Sequence, residues 1–192
     1  MLGVDLAGVP HRPTGMCMLK GMKAKTFLSF SNEEILSCVE KEKPDIVAID
    51  APLTLPPGRK SIEERNGSHY RPCDLELRRR KIPFFPITLG PMRMLTIRGI
   101  ALKNELEKRG FSCIEIYPGG AQDVWGIPRA KQDPASLRKG LQRLGIKGLK
   151  RDISNHELDA ATGALVGRLY LQDNAEVFGR FGYGAIVMPT SK

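Results

Sequence analysis

Three short apolar runs in this chain each end on a carboxylate: G-V-D-L-A-G with Asp5, I-V-A-I-D-A-P-L with Asp50 and C-I-E-I-Y-P-G-G with Glu115. Runs of this length, rich in Val and Ile, read as strands buried on both faces. Such strands need helices packed against them. The pattern therefore points to an α/β sheet, with each acid at the carboxyl edge where open sheets bind ligands. A fourth acid, Asp159 in H-E-L-D-A-A-T-G-A, falls one turn into a helix. If the strands are neighbours the four carboxylates converge, and converging hard oxygen donors suit a divalent cation.

The rest of the chain agrees with that architecture. Residues 2–6, 15–20 and 26–30 read as three consecutive strands separated by Gly, Pro or basic turns, an antiparallel meander. Ser31 and Glu34 form a capping box that opens a helix to about residue 43, and the strand 45–50 that follows suits a central place in a mixed sheet. Residues 54–92 are Pro-rich, basic and irregular, with a short helical patch over 74–81, and have the length of a functional insertion. A helix over 92–109, with Ile97, Ala101, Leu102 and Leu106 expected on one face, leads to a strand over 112–117. Tyr117 to Gly120 reads as a turn. Asp133 and Pro134 start a helix that Gly145 stops. A second capping box, Ser154 with Glu157, opens a helix over 155–171 whose expected core stripe is Leu158, Ala161, Leu165 and Leu169. Residues 182–189 read as a last strand or edge segment. The expected fold is one α/β domain over residues 1–192, a mixed five- or six-stranded sheet with helices packed on its faces and one basic, Pro-rich insertion.

A chain of 192 residues can bury a sizeable core. It has no apolar run of about twenty residues and no secretory leader pattern, which predicts a cytoplasmic protein with no membrane partner. The four cysteines, Cys17, Cys38, Cys73 and Cys113, form no C-x-x-C pair, so reduced thiols are expected rather than a zinc ribbon or a disulfide framework. The net charge of +9 is uneven: residues 54–92 carry eight Lys/Arg against four Asp/Glu, and residues 129–151 carry eight against one. Basic segments flanking an acidic pocket fit a binder of phosphate backbones, and on charge alone they fit a solvated basic surface equally well.

The order Asp5 on a first strand, Asp50 on a strand after the first helix and a late helical Asp159 resembles the ribonuclease H-like superfamily. More closely, G-V-D-L-A-G, I-D-A-P-L, R-x-C-D-x-x-L-R (Arg71, Cys73, Asp74, Leu77, Arg78), E-I-Y-P, H-x-x-D-A-x-x-G-A and the final G-A-I-V-M-P resemble the family called domain of unknown function 429, DUF429. That resemblance spans nearly the whole chain. It implies a ribonuclease H-like fold and a predicted nuclease whose carboxylates, Asp5, Asp50 and Asp159 with Glu115 beside them, hold Mg²⁺ or Mn²⁺. Two such ions would hydrolyse a phosphodiester of DNA or RNA.

Each residue also has a plainer reading. Asp5 and Asp50 suit capping of the turns after their strands, and Asp159 suits a solvated helix face. His156 lies one turn before Asp159 and fits a ligand, a phosphate contact or a structural role. Arg71 fits a nucleic-acid contact or an ion pair with Asp74; Arg78, Arg79 and Arg80 fit phosphate contacts or a solvated run. Trp125 fits a stacking platform or a core anchor. Two other functions stay open: a relative of the actin-like and sugar kinases, whose first strand also carries an Asp before a phosphate turn, and a nucleic-acid-binding module without turnover. Oligomeric state is not legible.

Overall fold

The computed structural model describes residues 1–64 and 67–190; residues 65 and 66, inside the insertion, and the last two lie outside it. Strands β1 (Leu2–Asp5), β2 (Thr14–Lys20) and β3 (Lys23–Ser29) form the antiparallel meander. Helix α1 (Asn32–Glu42) follows, opened by the Ser31–Glu34 capping box. It delivers β4 (Val47–Asp50) parallel to β1, and β5 (Cys113–Glu115) pairs parallel to β4. The sheet order is β3-β2-β1-β4-β5, a mixed five-stranded sheet. Between β4 and β5 lie α2 (Pro72–Arg79) and α3 (Gly90–Lys108); after β5 come α4 (Pro118–Val124), α5 (Pro134–Arg143) and α6 (Asn155–Leu171). A separate hairpin, β6 (Ala175–Arg180) and β7 (Gly184–Pro189), pairs only with itself except for one bridge from Val187 to Ile116 beyond β5. The final run is thus part of a second small sheet, and α2 packs on it through Cys73, Leu77, Phe178, Ile186 and Met188.

Alternation along the strands decides which face each side chain reaches. Leu2, Val4, Val47 and Ile49 turn to the face covered by Ile35, Leu36 and Val39 of α1 and by Leu102 and Leu106 of α3. The intervening residues, Gly3 with Asp5 and Ala48 with Asp50, turn to the opposite face, where α6 lies. Glycine is required there: a Cβ on Gly3 would stand 2.0 Å from the Ala160 carbonyl oxygen, and one on Gly15 would stand 2.0 Å from that of His156. Helix α6 meets the sheet with equally small residues and is buried from Leu158 to Gly167 except at Asp159. The expected four-residue stripe is therefore too narrow, because this helix is enclosed nearly all round. In α3 the buried side is Thr96, Arg98, Gly99, Leu102 and Leu106, whereas Ile97 and Ala101 face solvent. Among the described residues no helix is long and apolar enough to cross a membrane.

Candidate functional site

Asp5 and Asp50 are the last residues of adjacent parallel strands and partners in register. Equal height and equal parity place both carboxylates at the same corner of the sheet, on the α6 face. The close approach that Gly3 and Gly15 permit brings the first turns of α6 over that corner, carrying His156 and Asp159. Burial holds Asp50 well above the usual carboxylate range, and the charges of Asp5, Asp159 and Glu115 push it further in the same direction. Asp159 is raised to about 6, by burial first and then by Asp5, against the opposing pull of Gln122, His156 and Lys131.

Asp5 and Asp159 each have a hydrogen-bond partner. His156 Nδ1 lies 2.7 Å from Asp5 Oδ2, and this contact raises the imidazole's proton affinity. Gln122 Nε2 donates to Asp159 Oδ1 at 2.7 Å and to Thr162 Oγ1 at 3.1 Å. Gln122 is fully buried, and its Oε1 accepts no hydrogen bond among the described residues. Sequence reasoning missed this residue because Tyr117 to Gly120 reads as a turn, with nothing predicted after it, whereas Pro118–Val124 forms a helix. Among the described residues no three His, Cys, Asp or Glu side chains are close enough to hold one metal ion together as they stand. The donor chemistry of Asp5, Asp50 and Asp159 nevertheless fits Mg²⁺ or Mn²⁺: all three are carboxylates, and Asp50 and Asp159 have proton affinities raised by burial and then by like charge, a cost that a cation offsets.

Glu115 belongs to a different constellation, and register is the reason. It pairs with Ile49, one residue before Asp50, so its side chain leaves the opposite face of the sheet. There Glu115 accepts from Arg71 Nη1 at 2.7 Å, Arg71 Nη2 at 2.8 Å and the Leu53 amide at 2.8 Å. Arg71 also donates to Asp74 from Nε at 3.1 Å and from Nη2 at 2.8 Å. The guanidinium is only 2% exposed, and flanking carboxylates keep it charged despite the burial. Arg71 is therefore a buried clasp joining the insertion to β5, with its guanidinium engaged by the carboxylates of Asp74 and Glu115.

The expected basic run is also engaged. Arg79 pairs with Glu76 at 2.6 Å, Arg80 with Glu76 at 2.8 Å and with Glu176 at 2.7 Å, and Arg78 lies over the Tyr70 ring. Lys131 and the six Lys/Arg of residues 138–151 form no salt bridge among the described residues. Lys131 is near enough to act electrostatically on both Asp159 and His156. Trp125 is half-buried and packs against the α5–α6 core as an anchor.

Beside Asp50 and Asp159 opens a cavity of about 420 Å³. The Arg71–Asp74–Glu115 clasp, Phe84, Phe85, Met92, Leu95, Tyr117 and Lys131 contribute to its walls. Tyr117 is fixed by donating to the Pro83 carbonyl at 2.5 Å and accepting from Arg129 at 3.1 Å. Arg129 is itself paired with Asp123 at 2.5 Å.

A mixed five-stranded sheet with acids at the carboxyl ends of β1 and β4 defines the class of the fold and its site. The chain belongs to the family described as protein of unknown function, DUF429, whose model matches residues 3–180. No curated protein matches it in sequence. Among solved structures it is similar to Thermus thermophilus RuvC in complex with a Holliday junction substrate, with 16% identity, 90% of this chain and 96% of that chain covered and a TM-score of 0.47. It is also similar to another Thermus thermophilus RuvC structure, with 13% identity, 96% and 99% covered and a TM-score of 0.48.

Proposed function

We propose that this protein hydrolyses phosphodiester bonds of nucleic acid, using two divalent ions, Mg²⁺ or Mn²⁺, held by Asp5, Asp50 and Asp159. The observation that carries the reading is the in-register pairing of Asp5 with Asp50 on the face that α6 covers with Asp159. When bound, such ions polarise the phosphate and supply a hydroxide near neutral pH.

The protein's own contribution is positioning. Asp5 and Asp50 sit on strands locked in a ladder, and Gln122 fixes the rotamer of Asp159. Because its Nδ1 faces Asp5, His156 has Nε2 free to contact a phosphate or to exchange a proton with a leaving oxygen. Lys131 lines the cavity and forms no salt bridge among the described residues, which suits it to a phosphate oxygen. Glu115 stays on the far side of the sheet and holds the insertion.

The test is cleavage of single-stranded, duplex and branched substrates with Mg²⁺ and Mn²⁺ by wild type and Asp50→Asn. Metal-dependent cleavage in wild type, reduced at least a hundredfold in the variant, is expected. Equal cleavage by both would place the activity elsewhere, and no cleavage by wild type on any substrate would leave a binding module.

A further inference from the structure

The cavity beside Asp50 and Asp159 has the form of a pocket. At about 420 Å³ it lies within the roughly 300–1,000 Å³ typical of small-molecule sites. A continuous duplex does not enter such a space. Its lining is mixed: Asp50, Asp159 and Lys131 are ionisable, Arg71, Asp74 and Glu115 are engaged with one another, and Phe84, Phe85 and Met92 supply flat or apolar surface. Phe85 is 76% exposed although it lines the pocket, so an aromatic face is left in water with nothing stacked on it. A ligand that fills this space has a planar, largely apolar body and a phosphate end.

We infer that the pocket receives one unstacked nucleobase of the molecule whose phosphate lies at the carboxylates. The inference rests on the proposed phosphodiesterase reading of the same site. Every base carries a π face, so stacking on Phe85 and its neighbours holds any of the four without reading sequence. A base inside a duplex shows only its edges, so the substrate is single-stranded, a free nucleotide, or a strand with a base turned out of the stack. The insertion that carries Phe84 and Phe85 is tied through the Arg71 clasp to Glu115 at the end of β5, the strand beside the one that ends at Asp50.

The test is equilibrium binding to wild type with Ca²⁺ in place of Mg²⁺ or Mn²⁺. Three probes are compared: an abasic tetranucleotide backbone carrying a single 2-aminopurine, the same backbone with no base, and a duplex closed at both ends by base-free linkers. Loss of the base should weaken binding about tenfold, the worth of one base–aromatic stack. The 2-aminopurine fluorescence should fall on binding, and Phe85→Ala, at an exposed position, should erase the difference between the first two probes. Displacement by dAMP and not by deoxyribose 5-phosphate would show that a free nucleotide suffices. Equal binding of the base-bearing and base-free backbones, or tighter binding of the closed duplex, overturns the inference. Adding Mn²⁺ separates it from the reading beneath it: cleavage indifferent to the base sinks the pocket alone, and base-dependent binding without cleavage sinks the hydrolysis alone.

Discussion

Asp5 and Asp50 face each other across the parallel β1–β4 ladder as register partners, each the last residue of its strand. Burial and then the neighbouring charge of Asp5 raise the proton affinity of Asp50 above that of the unfolded chain, and a cation bound between them offsets that cost.

Addition of Mn²⁺ should consequently raise the melting temperature. At a hundred times its Kd, an ion bound only by the folded chain adds about 2.7 kcal/mol. For a protein of this size that is a rise of roughly 5–10 °C. Asp5→Asn should leave the metal-free protein as stable as wild type or more so, and should lose most of the Mn²⁺ response. Differential scanning calorimetry of both with and without Mn²⁺ checks this; an unchanged response in the variant would place the ion elsewhere.

The metal-free protein should lose stability as pH rises. Asp159 titrates at about 6 when folded and, being raised, holds its proton in the native state after the unfolded chain has released it. Its penalty is absent below about pH 4, grows to about pH 6 and is then complete, at most about 3 kcal/mol for a shift of this size. Asp50 acts in the same direction. His156, raised by Asp5, adds a stabilising charge that is full below about 6.5 and lost as pH passes its folded value. Urea midpoints between pH 4 and 8 should fall, and Asp159→Asn should flatten the part between 4 and 6.

Replacing Gln122 tests positioning without removing a ligand. Gln122→Leu loses two hydrogen bonds, each worth about 1 kcal/mol, but it also removes a buried oxygen without a partner, whose cost is about 1–3 kcal/mol. Stability should change little. Asp159, relieved of the donor that lowers it, should titrate above about 6, read by NMR of the carboxyl carbon. An unmoved titration would mean that the amide does not hold the carboxylate.

Much of this site was legible in the sequence because Asp5 and Asp50 end strands of matching length and Ser154 fixes where α6 begins, which sets Asp159 on its first turns. Glu115 was not placed correctly, because its distance along the chain from a strand end says nothing of register, and one residue of slip sends a side chain through to the other face. The outward turn of Ile97 and Ala101 was missed for a related reason: α3 is covered on one side only, and apolar residues occur on both. Pairing of Arg80 with Glu176 depends on the β6–β7 hairpin folding back on α2, a long-range contact that no local pattern encodes.

Arg71 should matter for folding rather than for binding. Arg71→Met leaves Asp74 and Glu115 buried without their cation, and breaking a buried pair by removing one partner costs about 3–5 kcal/mol. The denaturation midpoint should drop accordingly. If the variant instead kept its stability and lost affinity for nucleic acid, the clasp would have to open in solution.

The choice between the two basic stretches is decided by their partners. Arg79 and Arg80 already face Glu76 and Glu176, so reversing them mainly breaks surface pairs worth about 0–1 kcal/mol. Lys139, Arg143, Lys147 and Lys150 are exposed and have no salt bridge among the described residues, so their counter-ions are free to be exchanged for phosphates. Changing these four to Glu should weaken nucleic-acid binding whatever the sequence. It should also flatten the salt dependence by up to about 0.7 in log-log slope for each single-strand phosphate that is no longer neutralised. The matching change of Arg78, Arg79 and Arg80 should alter that slope by less than the share of a single phosphate. Affinities measured by fluorescence anisotropy from about 50 to 300 mM salt compare the two. A larger fall in slope from the Arg78–Arg80 change would mean that these arginines leave their carboxylates for the phosphate backbone, and that the strand runs over the insertion instead of along α5.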